Sequence, residues 1–156
     1  MRGGGAGLRE AVLARLRALR APHAEELADY CVRLEAALRP HTVILHGSVA
    51  RGLHGRWSDI DLLVVADFEE PFLDRLSRLL ELAEPGLPVQ PLGYTPEELR
   101  AMLERLNPLV LDALEFGIPL LGEECFAAFK RRFEELKRSE GLRRHRLGWS
   151  RGRGEG

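Results

Sequence analysis

Amide side chains are almost missing from this sequence: Asn107 and Gln90 are the only two. Lysine is nearly as scarce, at Lys130 and Lys137 alone, so arginine carries most of the positive charge. Few thermolabile amides and many ionic residues suit a protein made for heat, and GC-rich coding biases composition the same way. The two cysteines, Cys31 and Cys125, form no CxxC pair, so a zinc site or disulfide framework has no support. Cys31 shares a helical face with Leu27, Leu34 and Leu38 and reads as packing. No run approaches the roughly 20 apolar residues of a membrane span. Arg9, Glu10, Arg15 and Arg17 interrupt the first segment, so no secretory leader is expected, and the expected location is cytoplasmic. An excess of either charge is also absent. A formal net charge of −1 argues against a nucleic-acid partner, and the basic stretch from Arg143 to Arg153 reads as a solvated end diluted by acids.

What is present suits one ordinary domain. The chain has 156 residues, 45% hydrophobic and 30% charged, enough for a single core. Leu8, Val12, Leu13, Leu16 and Leu19 form a helical stripe, broken at Ala21-Pro22. A second helix is predicted from Ala24 to Leu38, stopping at Arg39-Pro40. Thr42 to His46 is short, β-branched and apolar, a buried strand that Gly47 ends. Residues 48–58 read as loop with one helical turn, and Asp59 to Val65 as a second strand. A helix follows over 70–82, with Phe72, Leu73, Leu76, Leu79 and Leu80 pointing inward. Leu87 to Leu92 is a strand that Pro88 and Pro91 confine to a sheet edge. Thr95-Pro96-Glu97-Glu98 is a helix start with a capping box. A short helix over 109–115 and a last one over 123–138 complete the set, before a tail expected to be mobile.

The fold class is therefore α/β: a small mixed sheet flanked by helices, with extra N-terminal and C-terminal helices. Residues 1–40 form a helical extension packing on the core, 41–121 the core, and 122–156 a helix with a basic tail, in one compact unit. About a dozen residues separate the first two strands, which fits an antiparallel turn as well as a crossover.

The chemistry concentrates between His46 and Asp61. On a strand, Asp59 and Asp61 point to one face. Two carboxylates about 5 Å apart repel by roughly 3 kcal/mol at an effective dielectric near 20. A divalent cation offsets that, and hard oxygen ligands favour magnesium or manganese. The alternatives are one protonated Asp, or two solvated at the strand end. Gly47-Ser48 after a strand makes a tight turn whose N–H groups and hydroxyl can hold phosphate oxygens. Arg51 is placed to neutralise phosphate charge, or equally to pair at the surface. His46 reads as a packing residue more than a phosphate contact. Trp57 can stack on a base or fill a contact.

The order Gly-Ser, ten residues, Asp-x-Asp resembles the polymerase-β-like nucleotidyltransferase superfamily. Gly47, Ser48, Ala50, Arg51, Gly52, Ser58, Asp59 and Asp61 match its minimal nucleotidyltransferase group, and the resemblance covers about residues 41–121. It implies nucleoside monophosphate transfer from an NTP, with ATP expected, to a protein or small-molecule hydroxyl. Gly47, Ser48 and Arg51 would bind the nucleotide. Asp59 and Asp61 would be catalytic and hold Mg2+, with Mn2+ as the alternative. The group also resembles antitoxins that pair with a helical HEPN-type toxin, so such a partner is a second expectation; separately, the amphipathic helices over 8–38 pack on the sheet or make a homo-oligomer interface. The family's third acid, on the following strand, maps to Gln90. An amide cannot act as a general base. Either another residue serves, the acceptor is activated otherwise, or only NTP binding remains.

Overall fold

The computed structural model describes residues 5–55 and 58–152. Helices α1 (Gly5–Ala18) and α2 (Ala24–Leu38) lead into β1 (Thr42–His46), the short α3 (Gly47–Ala50) and β2 (Ile60–Val65). Then come α4 (Phe72–Glu81), β3 (Val89–Tyr94), α5 (Pro96–Glu104), α6 (Pro108–Phe116) and β4 (Ile118–Leu121). Last are α7 (Glu123–Ser139) and the strands β5 (Leu142–His145) and β6 (Gly148–Arg151).

The central sheet runs β3-β2-β1-β4. β1 is antiparallel to β2 and β4, while β2 and β3 are parallel, so the sheet is mixed. Both faces are covered, which is why β1 is apolar without alternation and buried throughout. Val43, Leu45, Leu62 and Val64 join Leu16, Leu27 and Tyr30 of the first two helices and Leu79 of α4. Ile44, Leu63 and Val65 face Leu99, Leu111 and Phe133 of the other helical layer. This parity fixes which polar residues share a face at the strand ends.

The helix starts follow their local signals. Thr95 Oγ1 accepts the Glu98 N–H at 3.1 Å, and the Glu98 carboxylate accepts the Thr95 N–H at 2.9 Å, the predicted box. The Asn107 side chain accepts from Leu109 N–H at 2.9 Å, one residue before Pro108.

Three expectations are corrected. First, α4 does not bury its whole apolar stripe: Leu73 is 72% exposed and Leu80 46%, whereas Arg75 is buried at 7%. The helix is rotated because the Arg75 guanidinium is bonded on several sides. It donates to the Glu98 carboxylate at 2.7 and 3.1 Å, to the Glu70 carbonyl at 2.8 Å and to the Gly93 carbonyl at 3.2 Å. That arrangement also blunts the edge strand β3, since Gly93 O is occupied and Pro91 has no N–H to offer another strand. Second, β4 closes the far edge of the sheet, where no strand was expected. Third, residues 142–151 are paired as a hairpin, not a loose tail. Leu142 is buried, and the Trp149 ring packs edge-on against Phe133 at 5.9 Å. Its Nε1–H donates to Asp112 at 2.7 Å, giving the hairpin polar and apolar anchors. Among the described residues, no helix is long and apolar enough to cross a membrane.

Candidate functional site

The site forms where β1 ends. His46 is extended, and Gly47 turns the chain with φ +73°, a conformation that favours glycine. Val49 is fully buried and anchors the turn. Arg51 N–H returns to the Gly47 carbonyl at 3.3 Å, and Leu53 N–H to Ser48 at 2.9 Å. Farther along, Ser58 Oγ accepts from Gly55 N–H at 2.9 Å, and Ser58 N–H donates to the Gly55 carbonyl at 3.3 Å. The loop thus re-enters the sheet with Asp59 immediately ahead of β2. Arg56 and Trp57 lie outside the described residues, so the stacking expected of Trp57 falls there too.

Gly47 and Asp61 are in intimate contact. A Cβ built on Gly47 would stand 2.1 Å from Asp61 Oδ2, closer than any side chain tolerates. The carboxylate therefore lies against the backbone of the turn. Across the sheet, Asp61 is in register with His46 on one side and Gln90 on the other. All three share the face of Ile44 and Leu63, and Asp59, two residues before Asp61, continues it at the strand mouth. Asp59 and Gln90 are exposed, while Asp61 is half-buried. Burial pushes the Asp61 carboxyl above its usual range, and the neighbouring Asp59 charge pushes it further. Among the described residues, no group of three or more His, Cys, Asp or Glu side chains is arranged to hold a metal ion. Gln90, the residue onto which the resemblance maps a third acid, stands beside Asp61 as an amide.

His46 is 7% exposed, and its Nε2 has no hydrogen-bond partner among the described residues. Burial pushes its pKa down to about 4, partly opposed by the charge of Asp112 on α6. It is a neutral packing residue at neutral pH, as its sequence context suggested.

Arg51 rests against an aromatic ring. Its guanidinium lies 4.1 Å from the centre of the Phe116 ring, at the end of α6. The structure also adds residues that sequence reasoning missed. Asp112 accepts from Arg144 Nε at 2.9 Å and from Trp149 at 2.7 Å, and Arg144 approaches the Phe116 ring at 5.7 Å. Their only local signals were an acid within an apolar helix and an aromatic in a basic end. Neither reveals a pairing more than thirty residues apart.

In chemical terms, one corner joins a glycine turn able to take phosphate oxygens, two adjacent carboxylates and an amide in line with them. No curated protein matches this chain. A chain from a crystal structure of a toxin–antitoxin with AMP-PNP is similar over 72% of this chain and 90% of its own, at 19% identity and a TM-score of 0.48. The family model for the nucleotidyltransferase domain matches residues 24–121, more than half the chain and every element that builds this corner. The chain belongs to the nucleotidyltransferase domain family.

Proposed function

We propose that the protein transfers a nucleoside monophosphate, AMP from ATP, to a hydroxyl of a protein or small molecule, with magnesium bound by Asp59 and Asp61. The observation that carries this reading is the contact of Asp61 with Gly47. It sets a carboxylate beside a turn whose backbone N–H groups suit phosphate oxygens. The donor set fits the ion: two hard carboxylates whose mutual repulsion a cation relieves, with phosphate and water oxygens to complete the shell. When bound, magnesium supplies charge neutralisation of the phosphates.

The chain's own residues then divide the work. Gly47 lets the backbone approach the triphosphate, and the Ser48 hydroxyl and N–H hold its oxygens. Asp59 and Asp61 would hold the magnesium, whose charge would let the α-phosphate end of the nucleotide lie beside two carboxylates. Arg51 swings from Phe116 towards the phosphates or steadies the turn from where it stands. The acceptor oxygen bonds to the α-phosphorus as the bond to the pyrophosphate oxygen breaks. The acceptor's proton passes to water or a phosphate oxygen, because Gln90 cannot take it.

The test is thermal stability with each NTP, with and without magnesium, for wild type and Asp59→Asn. A magnesium-dependent rise with one NTP, lost in the variant, supports the reading. No rise with any NTP removes it. The register of Gln90 with Asp61 favours a second reading, in which nucleotide is bound without transfer and the domain serves as the partner-binding half of an antitoxin-like pair. A helical protein encoded beside it, which co-purifies with it, would support that.

A further inference from the structure

The hairpin β5–β6 lies beyond residue 121, where the family match ends, yet it reaches the phosphate turn through α6. Asp112 and Phe116 are one helical turn apart and so share a face of α6. The hairpin grips both. Arg144 and Trp149 donate to the same Asp112 oxygen, at 2.9 and 2.7 Å. The Phe116 ring receives two guanidiniums, Arg144 at 5.7 Å and Arg51 at 4.1 Å. Arg51 caps α3, the helix that Gly47 and Ser48 open. A continuous set of contacts therefore runs from β5 through Asp112 and Phe116 to the turn.

Its electrostatics have a direction. Asp112 lies one turn of α6 from Phe116, the ring on which Arg51 of the phosphate turn rests. Arg144 neutralises that acid. Without it, a negative charge without its cation would stand behind the ring that holds Arg51, and that ring would lose its second cation.

We infer that the C-terminal hairpin is a built-in wall of the nucleotide site, and that Arg144 is a positioning residue acting on the phosphate turn through Asp112 and Phe116. The inference takes its ligand, a nucleoside triphosphate, from the reading above. Arg144 need not touch that ligand; it holds the wall and cancels the charge behind it.

The experiment compares the affinity of magnesium-ATP and of uncharged adenosine for wild type, Arg144→Ala, Arg144→Lys and the Arg144→Ala/Asp112→Asn double variant. Arg144→Ala should weaken ATP about tenfold, the scale of one coupled charge pair, and leave adenosine nearly unchanged. Arg144→Lys keeps the charge and should recover part of the loss. The double variant removes the acid left without its cation and should recover most of it. A wall with only a structural role would weaken ATP and adenosine alike and gain nothing from Asp112→Asn; that result, or unchanged ATP affinity in Arg144→Ala, overturns the inference. If wild type binds neither ligand, the nucleotide reading itself fails. The hairpin is then judged by amide hydrogen exchange at residues 47–52 in the free protein: faster in Arg144→Ala supports positioning, and unchanged overturns it.

Discussion

Gln90 stands directly beside Asp61 across the parallel pairing of β3 with β2. Neighbouring strands lie about 4.8 Å apart, so the amide is within reach of anything the Asp61 carboxylate holds. An amide oxygen accepts a hydrogen bond but takes no proton at neutral pH. That amide sits in the row of the sheet that carries His46 and Asp61.

Restoring a carboxylate there is the direct test. Gln90→Glu should raise the rate of label transfer from ATP by about a hundredfold, the low side of what general-base assistance supplies. The same variant should be less stable than wild type without divalent ions, because a third negative charge joins Asp59 and Asp61. Unchanged transfer alongside that loss of stability would show that the missing acid is not what limits the reaction.

Gly47 is constrained twice, by its positive φ and by the Asp61 oxygen where a Cβ would go. Gly47→Ala should cost about 1–2 kcal/mol for the left-handed backbone alone, with further loss from displacing the carboxylate. Gly52 has a similar φ of +71° but open space around it. Gly52→Ala is thus the control for backbone strain. Chemical denaturation and the ATP-dependent stability shift, measured on both, should show nucleotide response lost at Gly47 and kept at Gly52.

Asp61 carries a charge the free fold disfavours. Its carboxyl is raised by burial first and by Asp59 second, so the folded chain holds a proton more tightly than the unfolded chain does. Its contribution to stability is present below the ordinary carboxyl range and lost as pH rises through the raised value. Asp61→Asn should accordingly raise the melting temperature of the metal-free protein at pH 7, and the gain should vanish in acid. The same variant should abolish the magnesium-dependent response to nucleotide. Lower stability at pH 7 would instead mean that Asp61 is well compensated within the fold.

Much of this was legible in the sequence for local reasons. β1 and β2 are short β-branched apolar runs, α5 announces itself by Thr95 and Glu98, and the Asp-x-Asp spacing forces both carboxylates onto one face. The register of Gln90 with Asp61 agrees with the place the family resemblance gave it on the third strand. The rest depends on partners remote in sequence. β4 is only four residues long, includes Pro119, and becomes a strand by pairing with β1. The hairpin is held by Asp112 and Phe133, both in other elements. α4 is turned by an ion pair to α5 that its own periodicity cannot disclose. The ring that Arg51 rests on lies sixty-five positions downstream in the sequence.

His46 allows a last measurement that needs no ligand. In the metal-free protein its neighbours in charge are Asp61 across β2 and Asp112 on α6, yet burial dominates and holds its pKa near 4, below the ordinary 6.5. The unfolded chain therefore binds a proton between those values and the folded chain does not. Stability from the neutral ring is complete above pH 6.5 and is lost as pH falls towards 4, by up to about 3 kcal/mol for a shift of this size. His46→Phe keeps a ring of similar shape, removes the unpartnered Nε2 and cannot charge. Urea unfolding at pH 7 and pH 4.5 should show a smaller acid loss for the variant than for wild type. An equal loss in both would mean that His46 is protonated within the fold at pH 4.5, and that the space around it opens to water or to one of the two acids.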